Sequence, residues 1–420
     1  MLIISKKVRK TLLGQRENLL VIGGGILQEQ TLIQANCMCL GKIIVDGDEN
    51  CYCRRSPYHN PDYFIHCSTK DINGIIKKTK QFIKKHKIKL VGVYTQGTDV
   101  EYTVAEVAKA FHLPHIPFGS AFACNNKIIM HHKFSDAGIP QALYFVADDL
   151  KEAEVKAGKM GFPCVIKPPN ACASRGITIV NCAADVEKAY HLAKSYATDV
   201  DCILIEQYLR GKEYSVDTIV YQNKLYPAGI SDREFLVKDD YAIQCGSLTP
   251  SLLPSDKQKE IYWLMERARA ALEVDNGAFK GDAIIHNGQV KLIEVTARLS
   301  GGFDSQFRKP LSFGINLIKA TMDIAMGKPL DFTDIIPQWF RYSKTFSVFP
   351  KPGVIKEIIG QGSLIDGVHR IFCDMKVGDV IGEYKHCANR VAHIIISAPT
   401  LSQLYETQQR VLDNFKIITE

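Results

Sequence analysis

The stretch "GDAIIHNGQVKLIEVTARLSGG" sets two carboxylates, Asp282 and Glu294, on either side of a His286-Asn287-Gly288 turn. A tight turn of this kind joins antiparallel strands, so ladder pairing brings the two acids together across the sheet. Carboxylates held side by side repel unless a proton or a cation bridges them, and Mg2+ held by one or two carboxylates plus substrate phosphates is the usual solution. Arg298 and the glycine pair of Ser300, Gly301 and Gly302 leave the end of the second strand directly afterwards. Lys167 ends the apolar run of "FPCVIKP". A desolvated ammonium there needs an anion, and phosphate is the natural one. The loop Asn170 to Gly176 offers small residues, Ala173, Ser174 and Gly176 among them, whose backbone N–H groups can approach an anion closely. In "CILIEQYLRGKEYSVDTIV" an apolar strand delivers Glu206, and Glu213 opens the next strand after a short linker. Such a linker offers backbone donors and acceptors to a flat heterocycle, with acidic side chains for an exocyclic amine and for ribose hydroxyls. Taken singly, each feature has a bland reading: a hairpin with a snorkelling lysine, or glutamates at strand ends.

Those residues need elements to hold them. "FPCVIK" and "GITIV" read as the two strands of a hairpin. Upstream, "LLVIGGG", "ILQEQTLIQANCMCLG" and "KIIVD" read strand, glycine turn, helix and strand, the βαβ opening of a parallel sheet. The turn is a weak dinucleotide fingerprint, because Gln28 stands where G-x-G-x-x-G needs its third glycine. No Gly-Lys pair is followed by Ser or Thr, so P-loop chemistry is excluded. With "KLVGVYTQGTDV" and the helix "EYTVAEVAKAFHL", an N-terminal Rossmann-like α/β domain spans 1–117; an α+β region follows over 118–340, and a small β-rich domain over 341–420. Ser231 to Pro254 reads as a long polar connection beside the cleft, placed to read a second substrate.

Composition narrows the function classes. At 420 residues the chain exceeds a single core, so several domains sharing a cleft are expected. Hydrophobic residues are 46% and no apolar run approaches the ~18 residues of a membrane span. With no secretory h-region either, a cytoplasmic protein without a membrane partner is expected. Thirteen cysteines, an odd number with several inside apolar runs, read as reduced thiols; Cys37, Cys39, Cys51 and Cys53 fit no usual zinc spacing. Much of the net charge of +7 sits between Lys77 and Lys89 on one helix face, which argues for a solvated surface rather than a nucleic-acid site.

The order Lys127, Lys167, small-residue loop, Glu206, Glu213, Asp282, Glu294, Arg298 resembles the ATP-grasp superfamily, and "EVTARLSGG" is similar to its carboxylate–amine ligases, such as L-amino-acid ligases, and to biotin carboxylase-like members. The resemblance covers nearly the whole chain: the first domain resembles the family's pre-ATP-grasp domain, 118–340 the ATP-grasp domain, and 341–420 the C-terminal domain. It implies that Lys127 and Lys167 bind ATP phosphates under the loop of Ala173, Ser174 and Gly176. Glu206 would meet the adenine amino group beside the main chain of Gln207 and Leu209, and Glu213 the ribose. Asp282 and Glu294 would hold Mg2+, with Mn2+ an acceptable substitute. Arg298 would face the substrate carboxylate or the transferring phosphoryl group, with Ser300, Gly301 and Gly302 as backbone donors and Arg308 as a further clamp.

Implied chemistry is ATP-dependent amide or peptide bond formation through an acyl phosphate, giving ADP and phosphate, from a small carboxylate and a small amine; the resemblance leaves a homodimer open. Thr296 stands where the family often has Asn, which weakens or rebuilds a second metal site. The alternatives are a bicarbonate-using carboxylase of the biotin carboxylase or purine-biosynthesis type, and a non-catalytic ATP-binding module. Met375-Lys376 in "DMKVGD" is superficially like a biotin-attachment site, and a hairpin turn explains it as well. His131 and His132 read as surface or phosphate-adjacent residues rather than metal ligands, and Arg233 and Arg308 as surface arginines unless a clamp recruits them.

Overall fold

Four apolar segments pair in parallel at the N-terminal end: β1 (Glu17–Ile22), β2 (Gly41–Asp46), β3 (Tyr63–His66) and β4 (Lys89–Tyr94), in the order β3-β2-β1-β4. Leu19 to Ile22 and Ile43 to Val45 are fully buried, which is why these strands read as unbroken apolar runs rather than alternations. The computed structural model describes residues 16–56, 60–170, 175–197, 200–238, 241–362, 365–384 and 389–420. The loop after β4 carries Gln96, Gly97 and Asp99 into the helix Glu101–Ala110.

A second, antiparallel sheet has the order β5-β8-β6-β7, from β5 (Tyr144–Ala147), β6 (Cys164–Lys167), β7 (Thr178–Val180) and β8 (Ile203–Gln207). The expected hairpin is β6 with β7, paired from Cys164↔Val180, and β6 pairs β8 so that Lys167 lies opposite Leu204, two residues from Glu206. Ala173 and Ser174 lie outside the described residues.

The third sheet has eight strands. They are β9 (Lys212–Tyr221), β10 (Lys224–Lys238), β11 (Tyr241–Thr249), β12 (Gly277–His286), β13 (Gln289–Thr296), β14 (Tyr342–Val348), and then β16 (Val368–Phe372) and β18 (Ala392–Ala398), which lie either side of the short β17 (Val380–Ile381) in the chain; β15 (Gly353–Ile359) precedes them. The order is β13-β12-β9-β10-β11-β14-β18-β16, so the sheet runs without a break from the 118–340 region into the 341–420 region. β15 pairs instead with β17 and with β19 (Lys416–Thr419). The β12–β13 turn uses Asn287 at φ +50° and Gly288 at φ +78°, the left-handed pair that a two-residue hairpin demands.

The segment Ser231–Pro254, expected as a polar connection, is for the most part strand: it holds the second half of β10 and all of β11. Its charges pair with residues on other strands of the sheet, the adjacent β9 and, across β11, β14. Arg233 is 2.8 Å from Glu213 on β9, and Lys344 on β14 donates to Glu234 at 2.7 Å. Cross-strand ion pairs therefore replace the polar and apolar alternation that marks most strands. Met375 to Asp379 makes a turn closed by Asp379 N–H on the Lys376 carbonyl. No helix among the described residues is long and apolar enough to cross a membrane.

Candidate active site

Lys127 is the first residue of the helix Lys127–Asp136, whose N-cap Asn126 accepts from the N–H groups of Ile128 and Ile129 at 3.0 and 3.3 Å. That cap fixes where Lys127 begins, and its ammonium lies 3.3 Å from Glu294 on β13. Glu294 is the direct ladder partner of Asp282 on β12, as the turn between the strands requires. The next strand, β9, places Ser215 opposite Asp282. Lys280, two residues before Asp282 and on the same face of β12, donates to Asp282 Oδ2, and Arg233 stands 3.3 Å from that oxygen.

These groups line one cavity of about 440 Å3. Of the expected residues, Lys127, Lys167, Glu206, Gln207, Leu209, Glu213, Asp282, Glu294, Arg298, Ser300, Gly301, Gly302 and Arg308 all reach it. Gly176 is not among the lining residues; it packs against Tyr196 and Pro168 with φ +72°. Sequence reasoning overlooked Asp99, Ser215, Phe235, Gln244, Lys280 and Arg390. Only Lys280 carried a legible signal, its spacing of two from Asp282 along one strand.

Charge is distributed in three clusters. At one end Lys167 Nζ and His131 Nε2 both lie 2.7 Å from Oε1 of Glu206. His131 is buried rather than on the surface, while His132 beside it is exposed. In the middle, burial would raise the carboxyl of Glu294, but Lys127, Lys280 and Lys167 outweigh it and hold the group well below the usual range. Burial works against Lys127 too, yet Glu294 and Asp99 raise its ammonium pKa overall. Glu213 is pushed up by burial in spite of Arg233.

At the third cluster Arg298 donates through Nε to Asp99 Oδ1 at 2.7 Å and through Nη2 to the same oxygen, with Glu101 at 3.6 Å. Glu101 is 2% exposed. Burial first, then Asp99, push its carboxyl up to about 7 against the pull of Arg298. Arg308 is no surface residue. At 2% exposure it pairs with Asp304 at 3.2 Å and donates to the Gly302 carbonyl at 2.8 Å. The Ser300 backbone N–H is spent on Asp217 Oδ1 at 2.9 Å, which leaves the N–H groups of Gly301 and Gly302 as the loop's candidates for a ligand. A Cβ on Gly97, at φ +63°, would stand 2.8 Å from Leu27 and 3.3 Å from the Gly301 Cα, so the two glycines let the β4 loop and this loop touch.

Among the described residues no group of three His, Cys, Asp or Glu is placed to hold a metal ion. A magnesium ion shared between protein and nucleotide needs fewer, and buried oxygens lacking a partner are at hand: Asp282 Oδ1 and Thr296 Oγ1 accept no hydrogen bond among the described residues. The donor set of two paired carboxylates therefore fits such an ion.

Residues 160–306 match the ATP-grasp domain family, and residues 345–420 match the L-amino acid ligase C-terminal domain 2. The chain carries an ATP-grasp domain and a C-terminal domain of the L-amino acid ligase type. The L-amino acid ligase of Bacillus licheniformis superposes on this ATP-grasp chain with a TM-score of 0.81 at 20% identity, covering 97% of this chain and 100% of that one. The biotin carboxylase domain of Hydrogenobacter thermophilus 2-oxoglutarate carboxylase, solved as a dimer with MgADP and bicarbonate, superposes at 0.73 with 17% identity over 96% of this chain and 91% of that one. An uncharacterised protein of Sinorhizobium fredii is 22% identical over 360 residues, 82% of this chain and 71% of that protein. The ATP-grasp chain spans half or less of the length of the curated D-alanine–D-alanine ligases and formyltransferases that it matches.

Proposed function

We propose that the chain is an ATP-dependent carboxylate–amine ligase that forms an amide or peptide bond through an acyl phosphate and releases ADP and phosphate. The single observation that carries this reading is the directly paired Asp282 and Glu294 sharing one cavity with Lys127, Lys167 and Arg298. In this reading the domains are 1–117, 118–340 and 341–420, and the cavity lies where they meet.

Glu206, with the main chain of Gln207 and Leu209, receives the adenine, and Glu213 the ribose. Lys127 and Lys167 hold the phosphates. Asp282 and Glu294 are the residues that would hold Mg2+, or Mn2+ in its place; the ion, when bound, neutralises phosphate charge. The substrate carboxylate attacks the γ-phosphorus, the bond to the β-bridging oxygen breaks, and ADP leaves with that electron pair. Arg298 stabilises the charge spreading over the transferring oxygens. The amine then attacks the acyl phosphate carbonyl; Arg298 and the N–H groups of Gly301 and Gly302 stabilise the tetrahedral oxyanion, phosphate leaves with the C–O electron pair, and the nitrogen gives up its proton. Water has to be kept from the acyl phosphate, which enclosure between the domains would supply.

The test is release of ADP and phosphate from Mg-ATP across paired pools of carboxylates and amines, with and without bicarbonate, for the native chain and Glu294→Gln. Release that needs both an acid and an amine, and that falls about 1,000-fold in the variant, is the expected result. Bicarbonate dependence would make the chain a carboxylase instead, and nucleotide binding without turnover would make it a binding module.

A further inference from the structure

The surroundings of His131 fix where its protons are. Gln141 Nε2 donates to the His131 backbone carbonyl and to Ser135 Oγ, each at 2.9 Å, which settles the orientation of that amide. Its Oε1 therefore faces His131 Nδ1, at 2.6 Å, and an amide oxygen only accepts. Nδ1 must carry a proton. On the far side of the ring, Nε2 lies 2.7 Å from Glu206 Oε1. The Lys167 ammonium sits 2.7 Å from that same oxygen, so the Glu206 carboxylate is ionised and it too only accepts. Nε2 must carry a proton as well. A neutral ring would set a bare nitrogen against a buried oxygen on one side, an arrangement that native interiors avoid.

We propose that His131 is a buried imidazolium which, together with Lys167, pins one oxygen of Glu206 so that the other is presented to the nucleotide base. The adenine end of the cleft is then a cation–carboxylate–cation triad. Both cations sit on Oε1, while Oε2 has no hydrogen-bond partner among the described residues and Glu206 lines the cavity. The other groups around the ring do not compete for its protons. The Tyr144 ring stacks on it at 4.7 Å and 19°, and the Tyr144 hydroxyl lies 3.1 Å from His132 Nδ1 instead. His131 touches no reacting atom in this arrangement; it is a positioning residue, and its role rests on the ATP reading of the site.

The test has two independent arms. In the first, the full chain is labelled with 15N-histidine and studied without nucleotide. Long-range proton–nitrogen correlation, with the ring assigned by its absence in His131→Asn and His131→Arg, should show both nitrogens protonated at neutral pH. A spectrum with one bare nitrogen overturns the proposal. In the second, binding of a non-hydrolysable ATP analogue with Mg2+ is measured. Loss of a charge-assisted hydrogen bond on a buried carboxylate should weaken binding about tenfold or more in His131→Asn. His131→Arg, which restores the charge, should recover part of that affinity. Native affinity in His131→Asn overturns the positioning role. So does an arginine variant no better than asparagine, the result of mere packing. Wild-type chain that binds no nucleotide would instead refute the ATP reading, while the ring spectrum still decides the charge. If the asparagine variant does not fold, that spectrum and the arginine variant remain decisive.

Discussion

Asp99 Oδ1 accepts from Arg298 Nε at 2.7 Å and from its Nη2, so the arginine that leaves β13 is held by an acid from the loop after β4. The two residues lie 199 positions apart and follow strands of different sheets, and their side chains are 23% and 10% exposed. The contact orients a guanidinium that would otherwise sample several rotamers. Asp99→Ala should lower ligase turnover with little change in nucleotide affinity, because the proposed reading gives adenine and phosphates to other residues, and should cost about 2 kcal/mol of stability. Steady-state kinetics with an ATP-analogue titration check the first, urea unfolding the second; equal loss of turnover and nucleotide affinity would refute the assignment.

Glu101 supplies a pH signature. Burial and Asp99 raise its folded carboxyl to about 7, from 4.5 in the absence of these surroundings. Between those values the folded chain keeps a proton that the unfolded chain has lost. Its contribution to stability is thus complete below the lower value and is lost as pH rises through the upper one. Glu101→Gln cannot lose that proton. The stability of this variant relative to the native chain should therefore rise between about pH 5 and pH 7, read from denaturant midpoints at intervals across that range. A constant difference would show that the carboxyl titrates at its ordinary value.

Lys309 is fully buried and lies 3.0 Å from Asp217 and 2.8 Å from Asp304. Asp217 in turn accepts the Ser300 backbone N–H at 2.9 Å and the Ser300 hydroxyl. Lys309→Met would strand buried negative charge, at a cost of about 3–5 kcal/mol. It would also free the loop that offers Gly301 and Gly302. Turnover should fall even at temperatures where the variant is folded, as followed by circular dichroism. An unchanged denaturation midpoint would show that the network contributes nothing net.

How much of this was readable beforehand differed by type of signal. Asp282 and Glu294 were placed opposite each other because an Asn-Gly turn sets the register of its strands, and register decides which side chains meet. The parallel opening sheet was readable because doubly buried strands are continuously apolar. β10 and β11 were missed because Asp232, Arg233 and Glu234 break the alternation; Arg233 pairs with Glu213 on the preceding strand, and Glu234 with Lys344 on a strand distant in sequence. Asp99 and Arg390 were missed because nothing local marks a residue that converges from another sheet. His131 was misjudged for a related reason: burial is a property of the packing around a residue, and its partners Gln141 and Glu206 lie 10 and 75 positions away.

The unbroken hydrogen-bond ladder between β11 and β14, registered Gly246↔Phe346 to Thr249↔Ser343, makes the two later regions inseparable. A chain cut after residue 340 would leave β11 as a naked edge strand, its row of amide and carbonyl groups offered to any other extended chain. Such fragments tend to precipitate rather than fold. The second family match thus begins inside β14, and the interval between the two matches ends within a continuous sheet rather than at a hinge.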